Sequence, residues 1–276
     1  MTIEIAFPAG QARLELDDLL YEKADGIATI TLNRPHRMNA LTPAMMANAL
    51  EALDDAANDE SVRVVVLTGA GRTFCGGADL SALRGNSEAS VVERLKADVT
   101  VPPSLVRAIR ALDKPVIGAI NGAAVGGGCD LALVCDLRIV SEDAKFGEVY
   151  AKIGLVPGAG AAYLLPRLVG LAKACELILT GDVIDARTAE RIGLANQLVS
   201  REEFPGAVQT MARKLADGPP IALSLAKQLI YRSLSGDFDD SLALSRVYTA
   251  MTLTTQDHQE GLKAFKEKRP PEFRGS

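Results

Sequence analysis

The stretch Asn121-Gly122-Ala123-Ala124-Val125-Gly126-Gly127-Gly128-Cys129-Asp130 follows the apolar run Pro115 to Ile120 and leads into Leu131 to Val134. A second stretch of the same kind, Phe74-Cys75-Gly76-Gly77-Ala78-Asp79-Leu80, follows the apolar run Val62 to Leu67. Each reads as a strand, a glycine turn and the approach to a helix. Glycine there lets a backbone approach a ligand and take turns closed to other residues. Two backbone N–H groups brought together in this way form an oxyanion hole, which polarises a carbonyl and holds the charge that develops on its oxygen. Two tight turns with close packing would use the same glycines, so the pair alone does not decide between chemistry and packing.

Working outward, Asp136 to Val140 reads as a further strand and Gly128 to Val134 as a helix. Val106 to Leu112 is helical, and Pro43 to Asp59 is a helix with Thr42 as N-cap and Pro43 at the favoured first position. Leu19 to Leu32 reads as two strands around the turn Asp25-Gly26. Strands alternating with helices predict an α/β core. From Ala161 the pattern becomes helical, with a last short strand at Asn196 to Val199. Helical periodicity then covers Glu202 to Asp217, Pro219 to Leu234, Asp239 to Leu253 and Asp257 to Lys266. The expected division is an N-terminal extension over 1–18, a core over 19–200 and a helical region over 201–276. Ala82 to Asp98 is polar and contains Gly85-Asn86-Ser87, which reads as a mobile loop with a helix.

The chain has 276 residues, 48% of them hydrophobic, enough to bury a sizeable core. A net charge of −5 argues against a nucleic-acid surface. Met1 to Gly10 has no basic start and no long apolar stretch, so no signal peptide is expected. Pro115 to Cys135 is interrupted by Asn121 and Asp130 and reads as buried core rather than a membrane span. The cysteines Cys75, Cys129, Cys135 and Cys175 have no zinc-ligand spacing, and reduced, buried thiols in a cytoplasmic protein are expected, with no metal site. A dinucleotide-binding fingerprint needs G-x-G-x-x-G. Gly126-x-Gly128-x-x-Leu131, Gly69-x-Gly71-x-x-Phe74 and Gly158-x-Gly160-x-x-Tyr163 each lack its third glycine, which weighs against a nucleotide-cofactor oxidoreductase. No Gly-x-Ser-x-Gly elbow is present, and His36 and His258 are the only histidines.

The two glycine stretches resemble the crotonase superfamily, the enoyl-CoA hydratase/isomerase family. Asn33-Arg34-Pro35 with Met38-Asn39-Ala40-Leu41 looks like the family's first CoA-side segment. Phe146-Gly147 followed by Gly154-Leu155-Val156-Pro157-Gly158-Ala159-Gly160 looks like its second active-site segment. Leu179-Thr180-Gly181-Asp182 and Glu260-Gly261-Leu262-Lys263-Ala264-Phe265 with Glu267-Lys268-Arg269 match later landmarks. The matches run in family order from Tyr21 to Arg269, nearly the whole chain. The resemblance implies a crotonase-like spiral of repeated ββα units with a C-terminal helical oligomerisation region that supports homotrimers or hexamers. It also implies an acyl-CoA substrate of the kind met in fatty-acid metabolism. Coenzyme A would enter as part of the thioester, with no separate cofactor and no nucleic-acid or membrane partner.

Carried over by position, the oxyanion donors are the N–H groups of Ala78 and Gly127. Hydratases of the family place one glutamate after the second glycine run and another after Phe-Gly. Here those positions hold Asp130 and Tyr150. Asp130 keeps the carboxylate and is one methylene shorter; some family isomerases also use aspartate there. A phenol is a poor base at neutral pH but can donate a hydrogen bond. If Gly147 to Ala151 is extended, Glu148 and Tyr150 share a face, and Glu148 can supply the missing carboxylate; otherwise it is a surface or structural charge. Some family isomerases carry an aspartate near Pro157-Gly158-Ala159, and this chain has none there. Arg37, Met38 and Asn39 match the pantetheine and adenine side, Ala78 and Leu80 flank the adenine pocket, and Phe265 and Lys268 match CoA contacts often made by a neighbouring subunit. The resemblance therefore implies an enolate-stabilising enzyme, with enoyl-CoA hydration first. Double-bond isomerisation by Asp130 alone is the alternative, and an acyl-CoA-binding member without catalysis is the reading of another class.

Overall fold

The computed structural model describes residues 13–79, 90 and 101–276. The segment from Ala82 to Asp98 therefore lies outside the described residues apart from Ser90, and Leu80 lies outside them too. The strands are β1 Arg13–Leu16, β2 Leu19–Ala24, β3 Ile27–Leu32, β4 Val64–Gly69, β5 Thr73–Cys75, β6 Val116–Ile120, β7 Ala123–Val125, β8 Leu137–Ser141, β9 Lys145–Gly147, β10 Val183–Asp185 and β11 Gln197–Val199. The α-helices among the described residues are α1 Pro43–Asn58, α2 Pro103–Ala111, α3 Gly127–Val134, α4 Ala161–Val169, α5 Leu171–Thr180, α6 Ala186–Arg191, α7 Phe204–Ala216, α8 Pro220–Ser233, α9 Phe238–Leu253 and α10 Gln256–Glu267.

The strands form two sheets. The larger has the order β1-β2-β3-β4-β6-β8-β11 and the smaller the order β10-β9-β7-β5. β1, β2 and β3 pair antiparallel, and β3, β4, β6, β8 and β11 pair parallel. Three successive turns of chain place a long strand in the larger sheet and then a short one in the smaller: β4 then β5, β6 then β7, β8 then β9. α3 and α4 follow the second and third of these pairs. Each turn thus delivers a glycine-bearing strand end to the same side of the molecule.

Burial explains the strand pattern. Val64, Val65, Val66 and Leu67 are all buried, as a strand covered on both faces requires. Val65 and Leu67 enter the large core shared with α1, α2 and α3. Val64 and Val66 turn to the other face, where they meet Phe204, Val208 and Ala212 of α7. α1 begins where expected, with Thr42 Oγ1 accepting from the Met45 N–H at 3.1 Å. The Asp25-Gly26 turn holds φ values of +48° and +81°, the region that favours Asp and Gly.

Two expectations change. Part of the expected 1–18 extension is sheet, because Arg13–Leu16 pairs with Leu19–Glu22 and forms the edge of the larger sheet. The second expectation concerned the thiols, and Cys175 lies exposed on α5 while the other three cysteines are buried.

α8, α9 and α10 build a separate helical layer. Lys227 of α8 is buried and its Nζ meets Asp136 Oδ2 at 2.8 Å. Tyr231 Oη donates to Asp136 Oδ1 at 2.5 Å, and the Val116 N–H donates to Asp136 Oδ2 at 2.7 Å. Asp136 thus ties the layer to the N-terminal ends of β6 and β8. At the same side, Arg63, just before β4, donates to Arg274 O at 3.0 Å. Among the described residues no helix is long and apolar enough to cross a membrane.

Candidate active site

The two glycine stretches meet at the C-terminal ends of β5 and β7. Leu41 N–H donates to Gly77 O at 2.8 Å, and Asp79 N–H donates to Leu41 O at 3.1 Å. In this parallel bridge Ala78 lies beside Leu41, so its own N–H points away from that partner. Gly77 has φ +95°, and a Cβ there would lie 2.8 Å from Val125 O. Gly126 sits at φ +53° and ψ −123°, a conformation available to glycine, and caps α3. A Cβ on Gly128 would lie 2.1 Å from Cys75 O, so only glycine lets α3 start flat against β5. The Cα of Gly127 faces Ala78; a Cβ there would be 3.7 Å from Ala78 N. Neither the Ala78 nor the Gly127 N–H donates to another described residue. Two free donors side by side, one of them at a helix N-terminus, form a place where negative charge is favoured.

Asp130 lies on α3, three residues beyond Gly127, and is fully buried. Tyr150 Oη donates to its Oδ2 at 2.5 Å. The N–H of Ala161, the first residue of α4, donates to its Oδ1 at 3.2 Å. Gly160 offers α4 no side-chain cap, so Asp130 supplies one from another helix. Burial pushes the Asp130 carboxyl up to about 6, while the bonds from Tyr150 and Ala161 act against that rise. The group is ionised at neutral pH and still a usable base. Burial and the Asp130 charge raise the Tyr150 phenol far above its ordinary value, so it stays protonated and acts as a donor.

The route by which Glu148 and Tyr150 arrive is not the expected one. Gly147 to Ala151 is not extended; Val149–Ile153 is a 3-10 helix and Glu148 precedes it at φ −88°, ψ 66°. Both side chains nevertheless turn toward α3. Glu148 is 1% exposed and adjoins Asp130 and the Cys129 thiol. Burial first, and then the Asp130 charge, push its carboxyl up to about 8.

The expected CoA-side residues divide. Met38 is 62% exposed beside Gly76, with its Cβ against that glycine. Arg37 is exposed on the adjacent 3-10 turn. Asn39 differs from its two neighbours in having no exposed surface, and its Nδ2 donates to Ala70 O at 2.9 Å and Thr73 O at 2.6 Å. Its Oδ1 accepts from the Arg34 N–H at 2.9 Å, so the side chain holds the loop. Phe265, 85% exposed, and Lys268 lie on and just after α10, in the layer anchored before β4.

Sequence reasoning quoted Arg34 only within a motif and missed its role: its Nη1 donates to Asp79 Oδ2 at 3.0 Å and to Ala40 O at 2.9 Å. It braces the strand end that carries Ala78. It also missed the Ala161 N–H as a partner of Asp130; the helix start after Gly160 was the available signal. Among the described residues no three His, Cys, Asp or Glu side chains group to hold a metal.

A family model for enoyl-CoA hydratase/isomerase matches residues 22–276. The chain belongs to that family. It is 37% identical to a short-chain-enoyl-CoA hydratase of Clostridium acetobutylicum, over 93% of this chain and 97% of that protein. It is also 37% identical to a 1,2-epoxyphenylacetyl-CoA isomerase of Escherichia coli, over 94% and 99% of the two chains. The crystal structure of an enoyl-CoA hydratase from Bacillus anthracis aligns at a TM-score of 0.89 and 36% identity, covering 94% of this chain and 100% of that one. The spiral of ββα turns with its helical C-terminal region is the crotonase fold, and the chain is an enzyme of the lyase or isomerase type.

Proposed function

We propose that this family member adds water reversibly to a 2-enoyl-CoA through an enolate, with Asp130 moving the proton. The observation that carries the reading is a buried, ionisable carboxylate three residues along the helix from a free N–H that adjoins a second free N–H. A thioester oxygen held by the Ala78 and Gly127 N–H groups makes the carbonyl an electron sink. One such donor typically contributes ~10²–10³ in rate. The Tyr150 hydroxyl spends its proton on Asp130, so its oxygen lone pairs are left to accept from a water. Asp130 takes a proton from that water as its oxygen bonds to the β-carbon. It then returns the proton to the α-carbon as the enolate collapses. Atoms balance with one carboxylate and no separate cofactor.

The same geometry supports double-bond isomerisation, because Tyr150 stands at the second carboxylate position and Asp130 alone can carry a proton between carbons. Product analysis separates the two. A 3-hydroxyacyl-CoA supports hydration; a shifted double bond at unchanged mass supports isomerisation. Binding of the thioester without turnover on a broad enoyl-CoA panel would leave only the acyl-CoA-binding reading.

The reading includes a homotrimer or hexamer. Phe238, Leu242, Val247, Met251, Leu253 and Phe265 are exposed on the helical layer, and an apolar face of that kind favours association. Phe265 and Lys268 would then meet the CoA of a neighbouring copy, with Arg37 and Met38 on the near side. The buried thiols of Cys75, Cys129 and Cys135 fit a reducing, cytoplasmic setting.

A further inference from the structure

Glu148 has no part in the one-carboxylate scheme, yet it is placed where a charge is hard to keep. It follows β9 directly, is 1% exposed, and neither of its carboxyl oxygens meets a nitrogen or oxygen partner among the described residues. A buried group in that state pays the full desolvation penalty if it ionises, and much less if it stays neutral. The titratable groups that face it are Asp130 and Cys129 from α3 and Tyr150 from the 3-10 turn. None is a cation; the Cys129 thiol acts against the rise as a weak donor, and burial and the Asp130 charge outweigh it. Asp130, by contrast, accepts from Tyr150 and from Ala161. Two carboxyls in one buried site compete for a single charge, and the one with donors takes it.

We propose that Glu148 is a positioning residue held as a neutral acid, which confines the pair to one negative charge and places that charge on Asp130. This rests on the reading of Asp130 as the base. Ionisation of Glu148 would put a second negative charge beside Asp130. Proton release by Asp130 and the build-up of further negative charge in the site would then both be altered. The directions agree: Asp130 is raised to about 6 and Glu148 to about 8, which leaves a window in which the pair carries one charge. Cys129 is raised well above the ordinary thiol value, with burial the main cause and Glu148 next, so the thiol adds no charge in that window.

The test begins on the free enzyme, by carbon NMR titration of the side-chain carboxyls in wild type, Glu148→Gln and Asp130→Asn. In wild type an upper carboxyl titration is expected near pH 8. Glu148→Gln removes it and leaves the lower one. Asp130→Asn moves the upper one down, because the opposing charge has gone. Both results are readable even if no substrate turns over, which keeps a failure of the proposed reaction distinct. The second arm is the pH profile of kcat/KM with crotonyl-CoA, in which the alkaline fall of the wild type disappears in Glu148→Gln. A Glu148 titration in the ordinary carboxylate range overturns the proposal, as does an alkaline limb that persists in the glutamine variant. A folded Glu148→Gln without turnover at any pH overturns it as well, and makes Glu148 a proton donor in its own right.

Discussion

Replacing Tyr150 by Phe keeps the ring against Gly126 and removes one hydrogen bond, the 2.5 Å donation to Asp130 Oδ2. A hydrogen bond to a charged group contributes about 1.5–3 kcal/mol net. At about 1.4 kcal/mol per pKa unit, its loss raises the Asp130 carboxyl by roughly one to two units. Asp130 starts at about 6, already raised from its ordinary 3.8 by burial. Catalysis needs the carboxylate, so activity falls as pH drops through the folded value. In Tyr150→Phe the acid limb of kcat/KM therefore moves from about pH 6 to about pH 7–8. At pH 7 the ionised fraction drops from about nine-tenths to between a half and a tenth, a loss of roughly 2- to 10-fold from this cause alone. Any loss of water positioning adds a factor that does not depend on pH. The assay is log kcat/KM against pH for crotonyl-CoA, read for the position of the acid limb and not for its height. An acid limb that stays near pH 6 would refute the idea that Tyr150 sets the proton affinity of Asp130.

Three further outcomes follow from the fold and the site. Gly128→Ala forces a Cβ to within 2.1 Å of Cys75 O, so a loss of about 3 kcal/mol or more and a low soluble yield are expected in thermal unfolding. Asp136→Ala leaves Lys227 buried without its anion, which costs about 3–5 kcal/mol; limited proteolysis should then cut first within residues 201–276. Glu148 has a folded pKa raised from 4.5 to about 8, so the stability that depends on its protonation is complete below pH 4.5 and is lost as pH rises through 8. Glu148→Gln should flatten the fall in melting temperature between pH 5 and 9, and an unchanged slope would count against the burial argument.

Much of this fold can be read in the chain because burial leaves a plain mark. Val64 to Leu67 and Val116 to Ile120 are apolar without alternation, as strands covered on both faces must be. Thr42-Pro43 and Asp25-Gly26 announce a helix start and a turn through local chemistry alone. The short strands β5, β7 and β9 are three residues each, too brief for any period to show, so the second sheet was not legible. β1 was missed because an edge strand of four residues depends on β2 for its pairing. In the site, the glycines of the two loops and Asp130 stand out by position. The side-chain assignments did not transfer so well, since they depend on which way a turn rotates. Glu148 and Tyr150 reach α3 through a 3-10 turn, and Asn39 turns inward to three backbone carbonyls.

The central claim is that Asp130, beside two free N–H donors, carries the proton while water adds to the enoyl thioester. The most direct measurement is turnover of crotonyl-CoA in ¹⁸O-labelled water by wild type and Asp130→Asn, with products resolved by mass spectrometry. Wild type is expected to give a 3-hydroxyacyl-CoA carrying one labelled oxygen, and a folded Asp130→Asn to lose about 10²–10⁴ in rate. Asp130→Asn turning over at the wild-type rate, or a wild-type product without label and with only a shifted double bond, would contradict it.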